Sequence, residues 1–243
     1  MNLKILYEDN HVIGVYKEAG VPSQPDIRNI PSLYDHVKEY IRVKYNKPGD
    51  AFAGVVHRLD SPVSGVMIFA KTSKAARRLH RDMLLGNIKK FYIALVDSPE
   101  KMSDGWQLFE DNIEKVYGGS KISPSNGKAA GLSCIRLGEY GGHSLLCVNL
   151  HTGRKHQIRV QLASRGMIVA GDKKYGYTGH ITSLLLHALY LKFPHPVKDE
   201  EIELVSGIPD RFYGIIPENM LILQNIVDII HDFGKIKTND RRP

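Results

Sequence analysis

Ser133 to Tyr140 and His143 to Leu150 flank the pair Gly141-Gly142, a strand–turn–strand pattern. This hairpin signal constrains the fold most, because antiparallel neighbours need only a short turn whereas parallel neighbours need a long crossover. Other short strands are expected at Leu3 to Tyr7 and His11 to Tyr16, at Ala53 to Val56 and Gly65 to Ala70, and at Phe91 to Val96. Residues 97 to 131 read as short strands and turns, with Gly118-Gly119 and Ser123 to Gly127 as loops. Leu184 to Phe193 is a further apolar element. No regular βαβ alternation is present, so the fold class is α+β with a mixed, mostly antiparallel sheet flanked by helices and loops.

Helices are scattered between these strands. Ser32 is expected to cap a helix over Leu33 to Tyr45, with Leu33, Val37, Tyr40 and Ile41 on one face. Thr72 or Ser73 starts a second, to about Leu85, with Ala76, Leu79 and Met83 facing the core. Its other face carries Lys74, Arg77, Arg78 and Arg81, with Asp82 the one neutralising acid. Such a stripe serves either as a solvated face or as a phosphate contact, and the single acid favours phosphate. A third helix is expected over about Lys155 to Ser164, stopped by Gly166. A last one runs from about Pro217 to Phe233 with Met220, Leu223, Val227 and Ile230 as its stripe. Lys235 to Pro243 reads as a disordered tail.

Bulk properties narrow the chemistry. The 243 residues hold 33 Lys and Arg against 26 Asp and Glu, a formal charge of +7, and a pI near 9.2. That excess suits a polyanion and equally suits a protein that is merely basic. Cys134 and Cys147 form no ligand set, so zinc is not expected, and both read as buried free thiols of a reducing compartment. The N-terminus reaches Glu8 and Asp9 too soon for a secretory leader, and no run could span a bilayer, so a cytoplasmic protein is expected.

Two segments carry candidate chemistry. His57-Arg58-Leu59-Asp60 sets one carboxylate beside a guanidinium and before the turn pair Ser61-Pro62. It is placed for reaction or for a structural ion pair. His151 to Leu162 leaves a strand, turns at Gly153 and enters a helix whose start offers an anion site. Arg154, Lys155, His156 and Arg159 cluster there, and Gln157 shares a face with Gln161. Cations at a helix start oppose the macrodipole by a few tenths of a kcal/mol, which a bound anion would relieve.

Familiar constellations fail. There is no P-loop, no glycine-rich dinucleotide turn, no GxSxG elbow and no helical His pair. A glycosidase needs two carboxylates, and Asp172 in Gly171 to Gly176 reads more easily as a turn cap. A lone carboxylate among cations and aromatics permits, without requiring, attack at a nucleoside whose base can hold negative charge, as uracil can.

The motifs together resemble the RluA-like family of RNA pseudouridine synthases. His57 to Asp60 with Ser64-Gly65-Val66 and Phe69-Ala70-Lys71 looks like the family's first motif, whose Asp is the catalytic nucleophile. Lys90 to Val96 looks like the second, whose Tyr packs on the target base and is implicated in proton removal from C5. Thr152 to Arg159 looks like the third, whose final Arg pairs with the Asp. Gly171-Asp172 with Tyr175-Gly176, and Leu186-His187-Ala188 with Phe193 to Pro196, also match, so the similarity runs from about Leu3 to about Pro209. Two departures are Ser61-Pro62-Val63 after the Asp and Lys17-Glu18-Ala19-Gly20 for the early loop motif.

The resemblance implies the pseudouridine synthase fold in one catalytic domain over residues 1–234. Many relatives carry an N-terminal S4 domain, whereas this catalytic domain starts almost at Met1, so RNA binding is expected from the domain itself. The implied activity is isomerisation of specific uridines in structured RNA, ribosomal or transfer RNA, by a monomer needing no metal, nucleotide or redox cofactor. Asp60, Tyr92 and Arg159 are the implied catalytic residues. Arg58, His57, Arg154, His156, Gln157 and Leu186 are the implied RNA-binding set, with Arg58 helping to extrude the base, and the helical stripe adds Arg77 and Arg81 to the expected RNA contacts. The runner-up reading is a non-catalytic RNA-binding or ribosome-assembly factor on the same fold. A hydrolase releasing free uracil is a distant third.

Overall fold

A period of two in the apolar residues builds one sheet with packed faces. The computed structural model describes residues 3–27, 29–97 and 102–239, with side chains as far as Phe233. Its strands are β1 (Ile5–Glu8), β2 (Val12–Lys17), β3 (Gly54–Val55), β4 (Ser64–Ala70), β5 (Lys89–Asp97) and β6 (Gln107–Val116). They continue with β7 (Gly119–Ile122), β8 (Lys128–Tyr140), β9 (His143–Leu150), β10 (Ile168–Val169), β11 (Leu186–Pro194) and β12 (Glu201–Val205). The main order is β1-β2-β4-β11-β5-β9-β8-β6-β7, with β3 on β4, β10 on β5 and β12 on β11.

Among the described residues the one parallel pairing is β4 with β11, where Ser64 faces His187 and Gly65 faces Ala188. Gly65 has φ +127°, and a Cβ there would lie 2.1 Å from the Ala188 carbonyl oxygen. Only glycine permits this seam. The hairpin of β8 and β9 turns at Gly141-Gly142, with Tyr140 opposite His143.

Alternation along β5 divides the interior. Tyr92, Ala94 and Val96 join one cluster with Leu33, Val37 and Ile41 of α1 (Leu33–Lys44). Phe91, Ile93 and Leu95 join another with Ile226, Ile230 and Phe233 of α5 (Leu223–Asn239). Each such side chain contributes about 1.5–3 kcal/mol on burial. Ser32 and Asp35 close a capping box on α1. Cys134 and Cys147 are buried, free, and assigned to opposite clusters. No helix among the described residues is long and apolar enough to cross a membrane.

Several elements differ from the sequence expectation. β6 and β8 are long strands of 10 and 13 residues, not short ones. In α2 (Ser73–Leu84) the buried face is Ala75, Leu79 and Asp82, so Ala76 and Met83 only flank it. Asp82 lies buried beneath the cationic stripe: it accepts a hydrogen bond from the Asn87 side chain and sits 3.7 Å from the Arg81 guanidinium, whose charge it offsets. α3 (Gln157–Ala163) starts two residues late because His156 is left-handed, at φ 54°. A short helix, α4 (Asp210–Tyr213), precedes a 3₁₀ turn at Glu218–Met220, and α5 begins only at Leu223. Its buried face is Ile226, Ile230 and Phe233 in place of Leu223 and Val227, and its backbone runs through Gly234 to Asn239. The rest of the expected tail, residues 240–243, lies outside the described residues.

Candidate active site

Asp60 sits on the loop between β3 and β4. The turn closes with Val63 N–H donating to the Asp60 carbonyl at 3.0 Å. Lys17, wholly buried, steadies that loop by donating to the carbonyls of Ser61, Val21 and Glu18 at 2.9, 2.7 and 3.0 Å. Ser23 bridges the Leu59 backbone, donating to its carbonyl at 2.6 Å and accepting from its N–H at 3.0 Å. The Asp60 backbone is thereby fixed, while its carboxylate stays 27% exposed.

Arg159 reaches the same point from α3. It donates to Asp172 through Nε and Nη2, both at 2.7 Å, and to Asp60 through Nη1 at 3.2 Å. Its guanidinium lies 5.1 Å from the Tyr175 ring centre. Asp172 is 2% exposed and makes no capping bond with its side chain. This corrects the turn-cap reading: a buried carboxylate needs a partner, and the bidentate guanidinium supplies it. The same pairing answers the macrodipole argument, since Asp172 offsets the charge of Arg159 at the start of α3.

His156 approaches Asp60 from the side. Its Nδ1 is 3.0 Å from the Tyr175 hydroxyl and its Nε2 is 3.7 Å from Asp60 Oδ2. Burial lowers the His156 pKa, against the pull of Asp60 and helped by Arg159. Tyr92 faces the same space from β5, 5% exposed, and burial followed by the Asp60 charge pushes its phenol up.

Asp60, Tyr92, His156 and Arg159 line an open pocket with Arg58, Leu59, Val63, Leu150, Gly153, Arg154, Gln157, Ile158 and Leu186. Its walls are apolar and aromatic, with one carboxylate, one fixed guanidinium and two exposed arginines, Arg58 and Arg154. The arrangement can hold a flat polar ring against Tyr92 while presenting Asp60 to its substituent. Among the described residues no group of three or more His, Cys, Asp or Glu is placed to hold a metal.

Not every expected site residue points into the pocket. His57 accepts from the Ile68 N–H at 3.2 Å, and burial with the nearby Lys90 charge lowers its pKa to about 3. It braces β4 and is not among the residues that line the pocket. Gln157 borders the pocket, but its amide is used internally: Oε1 accepts from Thr152 Oγ1 and the Arg154 N–H, and Nε2 donates to the Gly131 carbonyl. Arg77 and Arg81 are exposed on α2, away from the pocket lining. Asp172 and Tyr175 were missed as site residues. Their signal was indirect, since Arg159 enters a buried helix that carries no acid of its own.

Residues 11–164 match the family model for RNA pseudouridylate synthase. Over 230 residues the chain is 33% identical to ribosomal large subunit pseudouridine synthase D of Nitrosomonas europaea, covering 88% of this chain and 64% of that one. It is 32% identical to ribosomal large subunit pseudouridine synthase C of Vibrio parahaemolyticus, covering 87% and 68%. It thus spans slightly under two thirds of the first of these relatives. Human RNA pseudouridylate synthase domain containing 4 shares the fold at a TM-score of 0.74 and 21% identity, over 86% of this chain and 90% of that chain. The antiparallel sheet, the motifs and these matches converge, and the chain belongs to the RNA pseudouridylate synthase family.

Proposed function

We propose that this protein isomerises uridine to pseudouridine in structured RNA, with large-subunit ribosomal RNA as the substrate class. The observation that carries the reading is the meeting of Asp60, Tyr92 and Arg159 around one open pocket. The names of the relatives support the ribosomal target over transfer RNA. The reading extends to a monomer working without a cofactor in the cytoplasm, on a catalytic domain spanning residues 1–234.

The uridine leaves its stack at a loop or bulge, at a cost of a few kcal/mol. Arg58, exposed at the rim, fills the space it vacates, and Arg154 engages the backbone. The uracil lies against Tyr92 with Leu186 packed beside it. Asp60 acts at the ribose while the C1′–N1 bond breaks. Uracil turns and bonds to C1′ through C5, and the C5 proton moves away as N1 gains one. Nothing is added and nothing is lost. Arg159 keeps the Asp60 carboxylate aimed, and His156 lines its far side. The neutral Tyr92 phenol serves first as a packing surface.

The test is pseudouridine mapping of ribosomal and transfer RNA with and without the gene, followed by complementation with Asp60→Asn. One or a few large-subunit sites should disappear and return only with the wild-type chain. Return of the modification with Asp60→Asn would leave the non-catalytic reading in place.

A further inference from the structure

Three lysines of the described chain are buried: Lys17, Lys71 and Lys90. Lys17 donates to three carbonyls. Lys71 pairs with Glu8 at 2.8 Å and donates to the Asp9 carbonyl and the Tyr45 hydroxyl. Among the described residues Lys90, 6% exposed, has the Met83 sulfur as its hydrogen-bond partner, at 3.6 Å. Thioether sulfur is a weak acceptor. Burial alone lowers the Lys90 pKa, to about 8, with no carboxylate opposing it. An ammonium so placed lacks the anion that buried charges ordinarily have.

Its position says where that anion would come from. Lys90 precedes Tyr92 by two residues on β5, so both side chains rise from one face, about 7 Å apart along the strand. That is close to the length of one nucleotide unit. The ammonium lies under the exposed backbone of Gly153, which lines the pocket: a Cβ there would be 4.0 Å from Nζ. No other atom lies within 4 Å of that Cβ, and Gly153 has no left-handed φ. The fold does not require glycine at this point, yet any side chain there would stand between the buried ammonium and the pocket.

We propose that Lys90 binds an RNA backbone phosphate flanking the uridine that rests on Tyr92. The proposal rests on the uridine reading of the pocket. The phosphate approaches over Gly153 and supplies the missing anion, and the spacing of Lys90 from Tyr92 sets which nucleotide of the chain reaches Asp60.

The test uses the full chain and a short hairpin RNA carrying the mapped uridine. An uncharged methylphosphonate replaces the linkage on its 5′ side, then the one on its 3′ side. One of the two should weaken wild-type binding about tenfold, the scale of one charged hydrogen bond. Lys90→Met should weaken binding of unmodified RNA by the same factor and reduce the slope of log affinity against log salt by about 0.7–1. The two changes together should cost no more than either alone. Lys90→Met should also melt no lower than wild type, since an apolar side chain of similar length replaces an unpaired cation. Unchanged affinity and salt slope, or multiplying effects, would overturn the proposal. If Lys90→Met does not fold, Gly153→Ala gives the second reading: it should blunt the response to the same linkage, and an unaltered response counts against Lys90. A wild-type chain that modifies no ribosomal or transfer RNA would remove the uridine reading and this proposal with it. Activity with an indifferent Lys90→Met removes only the latter.

Discussion

Arg159 gives its two shortest hydrogen bonds to Asp172, at 2.7 Å each, and a longer one of 3.2 Å to Asp60. Asp172 fixes the plane of the guanidinium, and Asp60 takes the remaining nitrogen. The carboxylate expected to react is therefore the less tightly held of the two. Asp172→Ala should leave a buried cation short of its main partner and destabilise the protein by about 3 kcal/mol. For a domain of this size that is a melting temperature lower by about 6–12 °C. Calorimetry and turnover assays check it, and turnover should fall while the RNA dissociation constant changes little. A variant as stable and active as wild type would make the pair incidental.

Asp60→Asn preserves shape and the Arg159 contact geometry but removes the negative charge. It should melt as wild type does, bind RNA with similar affinity, and form no pseudouridine above background. Mass-silent isomerisation is read by chemical labelling of pseudouridine or by release of tritium from C5.

Tyr92→Phe and Tyr92→Leu separate the ring from the hydroxyl. Loss of the ring should cost about 1–3 kcal/mol of substrate binding, the worth of one stacked base. Tyr92→Leu should therefore raise the dissociation constant about tenfold or more. Tyr92→Phe should bind as wild type, so that any loss of turnover in it reports the hydroxyl. Equal affinity in both variants would refute stacking.

Arg77 and Arg81 are exposed on α2, Arg81 with Asp82 3.7 Å away, whereas Arg78 is tied to the Pro196 carbonyl. Charge reversal at Arg77 and Arg81 should lower RNA affinity and cut the salt slope by about one for each phosphate no longer neutralised, without changing stability. Reversal at Arg78 should destabilise instead. If the double reversal leaves affinity and slope unchanged, the stripe is a solvated face.

His187 is wholly buried between the hydroxyls of Ser64 and Ser206, at 2.7 Å each, and burial lowers its pKa to about 3. Below about pH 6.5 the unfolded chain takes up a proton that the folded chain refuses until about pH 3. Stability should therefore fall as pH drops through this window, by up to about 1.4 kcal/mol per pH unit from this ring. Urea melts of wild type and His187→Gln between pH 7 and 4.5 test the sign: the wild-type slope should be the steeper. Parallel slopes would show that the ring is protonated in place.

What the sequence could show was local. The β8–β9 hairpin is marked by Gly141-Gly142, and the capping box of α1 by Ser32 and Asp35, because each is a contact within a few residues. The position of β11 between β4 and β5 has no such mark, since strand order is decided by packing across the whole sheet. Asp172 was missed for a related reason. A carboxylate in a glycine turn looks the same whether it caps the turn or meets a guanidinium 13 residues away. Asp82 was legible in part: helical spacing set it beside Arg81, 3.7 Å away, but could not show that the turn after α2 folds Asn87 back onto it. The gathering of Asp60, Tyr92, Arg159, Arg58 and Leu186 around one pocket was anticipated only through the motif resemblance, because no periodicity links residues so far apart.

The glycine seam between β4 and β11 also imposes an order of events. β11 comes late in the chain yet lies between two strands made long before it, and its Leu186 forms one wall of the pocket. As the chain leaves the ribosome, β4 and β5 must wait with open edges for a strand that begins at Leu186, well after β5 ends at Asp97. Such long-range closure is slow. The pocket lacks its Leu186 wall on a nascent chain until β11 has emerged, so topology alone delays completion of the site.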